Sequence, residues 1–200
     1  YVIAGSREAA LSSPYYEVFA ARKYEVLFLN ESADEFVLDR VREFDGKAIV
    51  AAERAELEVP TQDPVEGQLN DEQAGLLAGW LKSTLGDSVD NVTTSKRLAT
   101  SPALAVERDH YLTGTMRRTL KAMNRDRQDA PDVKPDFEFN PRHPLVARLE
   151  QIRHQDPDLA AKAAAQMYDN ARMAAGLLED PRPMLQRLNE LLAQVLTPKA

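Results

Sequence analysis

The sequence contains no cysteine among its 200 residues. A disulfide, a thiol nucleophile and a cysteine-ligated zinc site are therefore excluded, and the composition suits a reducing compartment. The three histidines, His110, His143 and His154, do not have the spacing of metal ligands. No apolar run reaches the roughly 18–20 residues of a membrane span, and no signal-peptide pattern opens the chain. We therefore expect a cytoplasmic protein that binds neither a metal nor a membrane.

Glycine is also scarce, with eight residues in the chain. A phosphate-cradling turn after a strand normally uses two or three glycines, whereas the best candidate here has only Gly5. Acidic side chains are plentiful, but their pattern places them on solvated helix faces rather than paired in an apolar setting that could shift a pKa. The sequence thus predicts no enzyme and no cofactor in this chain.

The formal net charge is −7, with acidic and basic residues interspersed. Such a surface repels a phosphate backbone unless a local basic stripe overcomes it. The densest basic stretch, residues 117–127, lacks the interleaved aromatic residues that would stack on bases. We expect no nucleic-acid partner.

The N-terminal part of the chain, residues 1–60, alternates strand and helix patterns. Residues 1–4, 25–29 and 47–50 have the composition of strands, while Ser13-Pro14 and the capping box of Ser32 and Glu35 open helices. This order predicts a small parallel sheet with helices packed on it. A segment rich in Glu and Pro follows and predicts a boundary between domains at 1–60 and 61–200.

Residues 61–200 are predicted to be mainly helical, with a small sheet. Asn70 or Asp71 caps a helix that Gly86 ends, and residues 89–106 and 136–139 have strand patterns. Asn140-Pro141, Asp156-Pro157 and Asp180-Pro181 each precede a further helix, the second of which is expected to run to Leu178. The predicted fold class for the whole chain is α+β.

The last two helices carry the clearest functional pattern. The final one has an apolar stripe at three- and four-residue steps, and the one before it is rich in alanine, which lets helices approach closely. Pairing with a second copy as a four-helix bundle would cover this apolar surface. The alternative is that both helices pack on the chain's own sheet. The predicted homodimer interface comprises Leu159, Ala163, Met167, Ala171, Ala174, Leu177, Leu178, Met184, Leu185, Leu188, Leu191, Leu192 and Val195.

A further helix is predicted at residues 109–124, with an apolar line formed by Leu112, Met116, Leu120 and Met123. Methionine adapts its shape and is frequent at surfaces that bind many partners. A core-facing stripe has the same pattern, so the residues alone leave both interpretations open.

Several short stretches, in this order and spacing, resemble the C-terminal third of the heat-shock-protein-90 chaperones, and most of all the bacterial branch called high-temperature protein G. These stretches are residues 12–15 (SSPY), 43–47 (EFDGK), 96–98 (KRL), 101–103 (SPA), 137–141 (FEFNP) and 178–181 (LEDP).

The resemblance implies a fragment of a longer ATP-dependent chaperone, comprising the end of its middle domain and its C-terminal dimerisation domain. The ATP and magnesium site would lie in a part of the protein outside this chain. The partners implied are a second copy and unfolded client proteins, contacted by Glu35 and Phe36 and by Leu112, Met116, Leu120 and Met123. Some members of the family have an acidic tail that recruits tetratricopeptide co-chaperones. The sequence does not contain this tail, so we expect no such partner.

A different class of protein remains as an alternative. Residues 1–60 could form a small nucleotide- or metabolite-binding α/β domain fused to a helical regulatory domain. The single Gly5 in the candidate phosphate turn counts against this interpretation.

Overall fold

The computed structural model describes residues 1–31, 33–60, 63–107 and 134–196. Within these ranges the helices are α1 (Arg7–Leu11), α2 (Glu17–Arg22), α3 (Asp34–Val41), α4 (Asp71–Leu85), α5 (Pro144–Gln155), α6 (Pro157–Ala174) and α7 (Arg182–Leu196). The strands are β1 (Val2–Ile3), β2 (Phe28–Leu29), β3 (Glu43–Phe44), β4 (Lys47–Ala48), β5 (Val92–Thr94), β6 (Ala103–Val106) and β7 (Asp136–Phe139). Together these elements confirm the predicted α+β class.

Strands β1 and β2 pair in parallel, as predicted, with Val2 opposite Phe28. The prediction that residues 47–50 form a third parallel strand is wrong in the orientation and the partner of the strand. Strand β4 instead pairs antiparallel with β3 across a turn at Asp45 and Gly46, whose φ angles are 49° and 72°. An Asp-Gly pair readily adopts these left-handed angles, which favours a local hairpin. The chain reaches the parallel sheet immediately afterwards, where the Ala52 amide donates to the Tyr1 carbonyl at 2.8 Å.

Helix α4 begins and ends where its sequence signals predict. The Asn70 side chain accepts a hydrogen bond from the Gln73 amide, the Gln73 side chain accepts one from the Asn70 amide, and Gly86 follows the last turn. This reciprocal capping satisfies two of the amides that a helix start leaves without intrahelical partners. The helix therefore packs Leu77 and Leu81 inward with a fixed start point.

The three-stranded sheet of the second part has the order β5-β7-β6, with β7 parallel to β5 and antiparallel to β6. Phe137 and Phe139 in the central strand are fully buried, and Glu138 between them is only partly buried. This is the period-two alternation on which the strand prediction rested. Phe137 also meets Tyr168 of α6 edge-on, with ring centroids 5.2 Å apart.

Within residues 61–200, two helix bounds differ from the sequence prediction. Helix α5 starts at Pro144 rather than after Asn140, because the His143 Nδ1 accepts a hydrogen bond from the Leu145 amide and so caps the helix. Asn140 instead connects two loops, because its backbone amide donates a hydrogen bond to the Pro102 carbonyl at 2.8 Å. Helix α6 ends at Ala174 rather than Leu178, since Gly176 adopts a φ of 68° that terminates it.

A single cluster of buried apolar side chains joins the two parts of the chain. It includes Val2 and Tyr15 from residues 1–60 and Leu77, Leu104 and Phe137 from the rest. Helix α6 lies at the centre, packed on α4, α5 and β6. The domain boundary near residue 60 stays a prediction. In the described part of the chain, no helix has the length and apolar character needed to cross a bilayer.

Candidate functional site

Helix α7 carries an apolar face that the described part of the chain leaves exposed. Leu185, Leu188, Leu192 and Val195 are exposed by 48%, 36%, 48% and 80%. We call these four residues the leucine face. They recur at three- and four-residue steps, which places them on one side of a helix. A continuous apolar strip of this kind is typical of a surface that another protein covers.

Helix α7 is held by α6, its main packing partner. Met184 is the residue of α7 that is buried. Asp169 of α6 accepts a hydrogen bond from Arg187 Nη1 of α7 at 2.8 Å, and Lys162 pairs with Glu190 at 3.0 Å. One apolar anchor and two ion pairs therefore set how α7 lies on α6.

The structure divides the predicted interface residues into three groups. Met167, Ala171 and Met184 are buried within one chain, so their apolar surface is already covered without a second copy. The others offer surface to a partner: half-buried Leu159, Ala163, Leu177, Leu178 and Leu191, and exposed Ala174, Leu185, Leu188, Leu192 and Val195.

The two predicted client-contact residues of α3 have different environments. Glu35 is only 1% exposed and accepts a hydrogen bond from the Tyr1 hydroxyl at 3.4 Å. Phe36, the next residue, is partly exposed. The structure thus corrects the expectation for Glu35, because a carboxylate turned into the chain does not face a client. The other four predicted contacts, Leu112, Met116, Leu120 and Met123, lie outside the described residues.

A second feature, which the sequence reasoning missed, links residues 1–60 to the rest of the chain. The carboxylate of Glu17 on α2 accepts hydrogen bonds from the backbone amides of residues 99–101, at 2.7 to 2.9 Å. It also accepts from the hydroxyls of Thr100 and Ser101. We call this arrangement the Glu17 clamp. Nothing in the local sequence sets Glu17 apart from other acids in the first turn of a helix.

The hydrogen bonds of the clamp favour the ionised form of Glu17. Burial by itself raises the pKa of this carboxyl group. The hydrogen bonds from the Ser101 side chain and from the three amides act in the opposite direction and prevail, so the pKa lies below its ordinary value. The carboxylate is therefore ionised at neutral pH, and its hydrogen bonds are charge-assisted.

Two further contacts cross between the same parts of the chain. The buried hydroxyl of Tyr15 donates to the Ala105 carbonyl in β6. Arg97 donates to the Glu53 carbonyl at 3.1 Å and pairs with Glu138 of β7 at 3.2 Å. Burial raises the pKa of Tyr15 well above its usual value, which keeps the hydroxyl protonated as a donor. Together with the Glu17 clamp, these bonds attach residues 1–60 to the three-stranded sheet.

The turn at Gly5 has a structural role in the fold. The Ser6 side chain accepts a hydrogen bond from the Ala9 amide and caps α1, a helix of only five residues. Across the described ranges, no group of three or more His, Asp or Glu side chains is arranged to hold a metal ion. Within the residues that the structure describes, the leucine face and the surface around Phe36 are the candidate functional features.

The fold and the leucine face define a class of protein: an α+β unit with an exposed apolar helix face, which is suited to association with another protein. Comparisons with known proteins identify its family. The model of the Hsp90 protein family matches residues 1–200. The chaperone protein HtpG of Desulfitobacterium hafniense (strain Y51) is 40% identical over 200 residues, covering 98% of this chain and 32% of the relative. The mitochondrial heat shock protein 75 kDa of Rattus norvegicus is 35% identical, covering 98% and 29%.

The chain belongs to the Hsp90 family. A further relative, the mitochondrial TNF receptor-associated protein 1 homolog of Dictyostelium discoideum, is 35% identical, with 96% of this chain and 27% of that protein covered. The chain thus spans about a third of the length of the curated relatives it matches. This membership does not favour the alternative of a small metabolite-binding domain with a regulatory partner domain.

Proposed function

We propose that this chain is the C-terminal part of a bacterial-type Hsp90 chaperone of the cytoplasm, and that it joins two copies into a homodimer and helps to hold unfolded clients. The observation that carries the dimer is the leucine face of α7, which is exposed on one side of the last described helix. The occupant proposed for it is the same face of a second copy, as in a twofold four-helix bundle.

The chemistry of the helix pair supports this occupant. Leu185, Leu188 and Leu192 supply bulky apolar contact, while α6 bears small residues that are not fully buried, such as Ala163 and Ala174. Small residues on one helix and large ones on the other allow helices to pack at close distance. A stable interface of this kind should bury more than about 1,000 Å² in total.

Light scattering on the whole chain tests the dimer. We expect the mass of two copies at tens of micromolar, and the mass of one copy for Leu188→Glu, because a buried unpaired carboxylate costs several kcal/mol. Ala193→Glu adds the same charge at an exposed position about 140° further round α7. This control should remain dimeric. A wild-type chain with the mass of one copy would refute the proposed dimer.

For client contact, we propose Phe36 together with Leu112, Met116, Leu120 and Met123. Phe36 supports this because it is an aromatic side chain left partly exposed on α3. The other four residues, in the helix predicted at 109–124, are included because of their apolar spacing and the family resemblance. Aromatic and methionine side chains suit a surface that accepts many unfolded sequences.

We further propose that ATP hydrolysis belongs to the full-length protein and not to this part of it. The support is the turn with a single glycine, Gly5, where the Ser6 side chain caps α1, a helix of only five residues. Calorimetric titration of the chain with Mg-ATP should give no heat of binding. A saturable micromolar site would instead favour the metabolite-binding alternative.

A further inference from the structure

The rotation of α7 about its own axis, as it packs on α6, needs a physical explanation. The most apolar side of α7 is turned away from its own chain, whereas Arg187 and Glu190 are directed toward α6. Successive residues of a helix are rotated by about 100°, so the leucine face and the side bearing Arg187 are neighbouring sides. A rotation of about one residue would therefore bring leucines onto α6 and turn the charges into solvent. Met184 would then leave its buried position, but the leucine face carries more apolar surface than one methionine, so burial of apolar surface alone would favour that rotated state.

The ion pairs supply the opposing interaction. Asp169 is well shielded, with its side chain 13% exposed, and the Arg187 side chain is 22% exposed. At 2.8 Å the contact is a short, charge-assisted hydrogen bond. Rotation of α7 would take away this shorter bond and leave the shielded Asp169 carboxylate with the 3.3 Å contact to Arg172, which is costly. The pair thus opposes rotation with more energy than an exposed pair could.

Asp169 is also tied to the segment that leads into α7. Arg172 donates to Asp169 Oδ1 at 3.3 Å and, through its other terminal nitrogen, to the Leu177 carbonyl at 3.5 Å. Asp169 Oδ2 takes the bond from Arg187. The two oxygens of one carboxylate therefore connect α6, the connecting segment and α7.

Lys162 and Glu190 form a second point of attachment at 3.0 Å. Ala165, three residues after Lys162 and four before Asp169, lies on the same side of α6. An alanine between two charged residues lets α7 approach closely without offering a large apolar contact. Two ion pairs on either side of a small residue fix the rotation of a helix better than one.

We propose that the Asp169–Arg187 pair, assisted by Lys162–Glu190, is a positioning device that keeps the leucine face turned away from its own α6 and open to a second copy. The inference rests on the proposed homodimer for its purpose, but the rotation itself can be measured on a single copy. Ion pairs of low exposure can specify an arrangement while adding little to stability. The residues act by orienting α7, and none of them belongs to the leucine face.

The first test is the dissociation constant of the dimer. Asp169→Asn and Arg187→Gln should each weaken the dimer about tenfold, and the double variant should weaken it no more than either single change, as expected for coupled partners. Asp169→Glu keeps the charge and should retain most of the affinity. Glu150→Gln with Arg153→Gln removes an equally shielded pair on α5, at 2.7 Å, and should leave the constant unchanged.

The second test measures rotation without a dimer. The chain has no cysteine, so Leu192→Cys introduces a single thiol into the leucine face. At concentrations where only single copies are present, this thiol should react with a maleimide several-fold more slowly when Asp169→Asn and Arg187→Gln are added. An unchanged or faster reaction would overturn the proposed positioning role, whatever the oligomeric state. A wild-type chain that never dimerises but shows the slower reaction would refute only the proposed dimer.

Discussion

Glu17 and Ser101, far apart in the sequence, meet through two kinds of hydrogen bond. The Glu17 carboxylate accepts from the Ser101 backbone amide at 2.9 Å and from the Ser101 hydroxyl. The same carboxylate also accepts from Ala99 and Thr100. One side chain of α2 therefore orders a short loop that leads into β6. Relative motion between the two parts of the chain has to break this clamp.

Replacing Glu17 with Gln should lower the free energy of unfolding by about 1–3 kcal/mol, because the amide is nearly the same size but has no charge, and its NH2 group would face donors rather than acceptors. Denaturant melts measure the change. Glu25→Gln, at an exposed position, is the matched control and should alter stability by less than about 0.5 kcal/mol. Equal effects at the two positions would mean that the clamp contributes nothing.

The stabilisation by Glu17 should depend on pH in a defined direction. Its pKa in the folded chain is lowered from the usual 4.5, so folding favours the ionised form. The contribution is fully present above pH 4.5 and is lost as the pH falls through the lower folded-state pKa. The difference in unfolding free energy between wild type and Glu17→Gln should therefore shrink as the pH is lowered below 4.5. A difference that grows on acidification would contradict the lowered pKa.

Met184 and Leu192 lie on the same helix but should differ in how truncation to alanine affects stability and dimer affinity. Met184 is 5% exposed, so Met184→Ala should destabilise the chain, by about 2 kcal/mol or more, through lost burial and a cavity. Leu192 is 48% exposed, so Leu192→Ala should change the stability of a single copy by less than about 0.5 kcal/mol but weaken the dimer. Melts at low concentration and dilution measurements of the dimer separate these effects. If both variants behave alike, the leucine face has no special role in association.

Met116→Ala distinguishes the two interpretations of the helix predicted at residues 109–124. If Met116 contacts clients, the change should leave stability within about 0.5 kcal/mol and weaken binding of an unfolded model substrate. If the apolar line is core, the same change should cost about 2–5 kcal/mol. Melts beside a binding assay give the answer, with Met184→Ala as the reference for a buried methionine. A large loss of stability without a specific loss of binding would remove the helix from the proposed client surface.

Local signals in the sequence determined most of the helices and strands. The start of α4 follows from a side chain and a backbone amide only three positions apart, and the burial of β7 follows from its alternation of Phe137, Glu138 and Phe139. Such interactions involve neighbours in the chain, so periodicity and capping residues are sufficient to predict them. The apolar stripe of α7 was equally visible.

The tertiary structure alone decided which side of each element meets which neighbour. The Asp45-Gly46 pair is a local hairpin signal that the prediction of a third parallel strand overlooked, whereas nothing in the sequence could show that Glu35 would be buried. Nor could it show that Glu17 would bind residues 99–101, or that Asp169 would hold Arg187 and leave the leucine face exposed. These outcomes depend on hydrogen bonds and ion pairs between residues brought together by folding. Their strength is set by shielding from water, which only the packed chain provides.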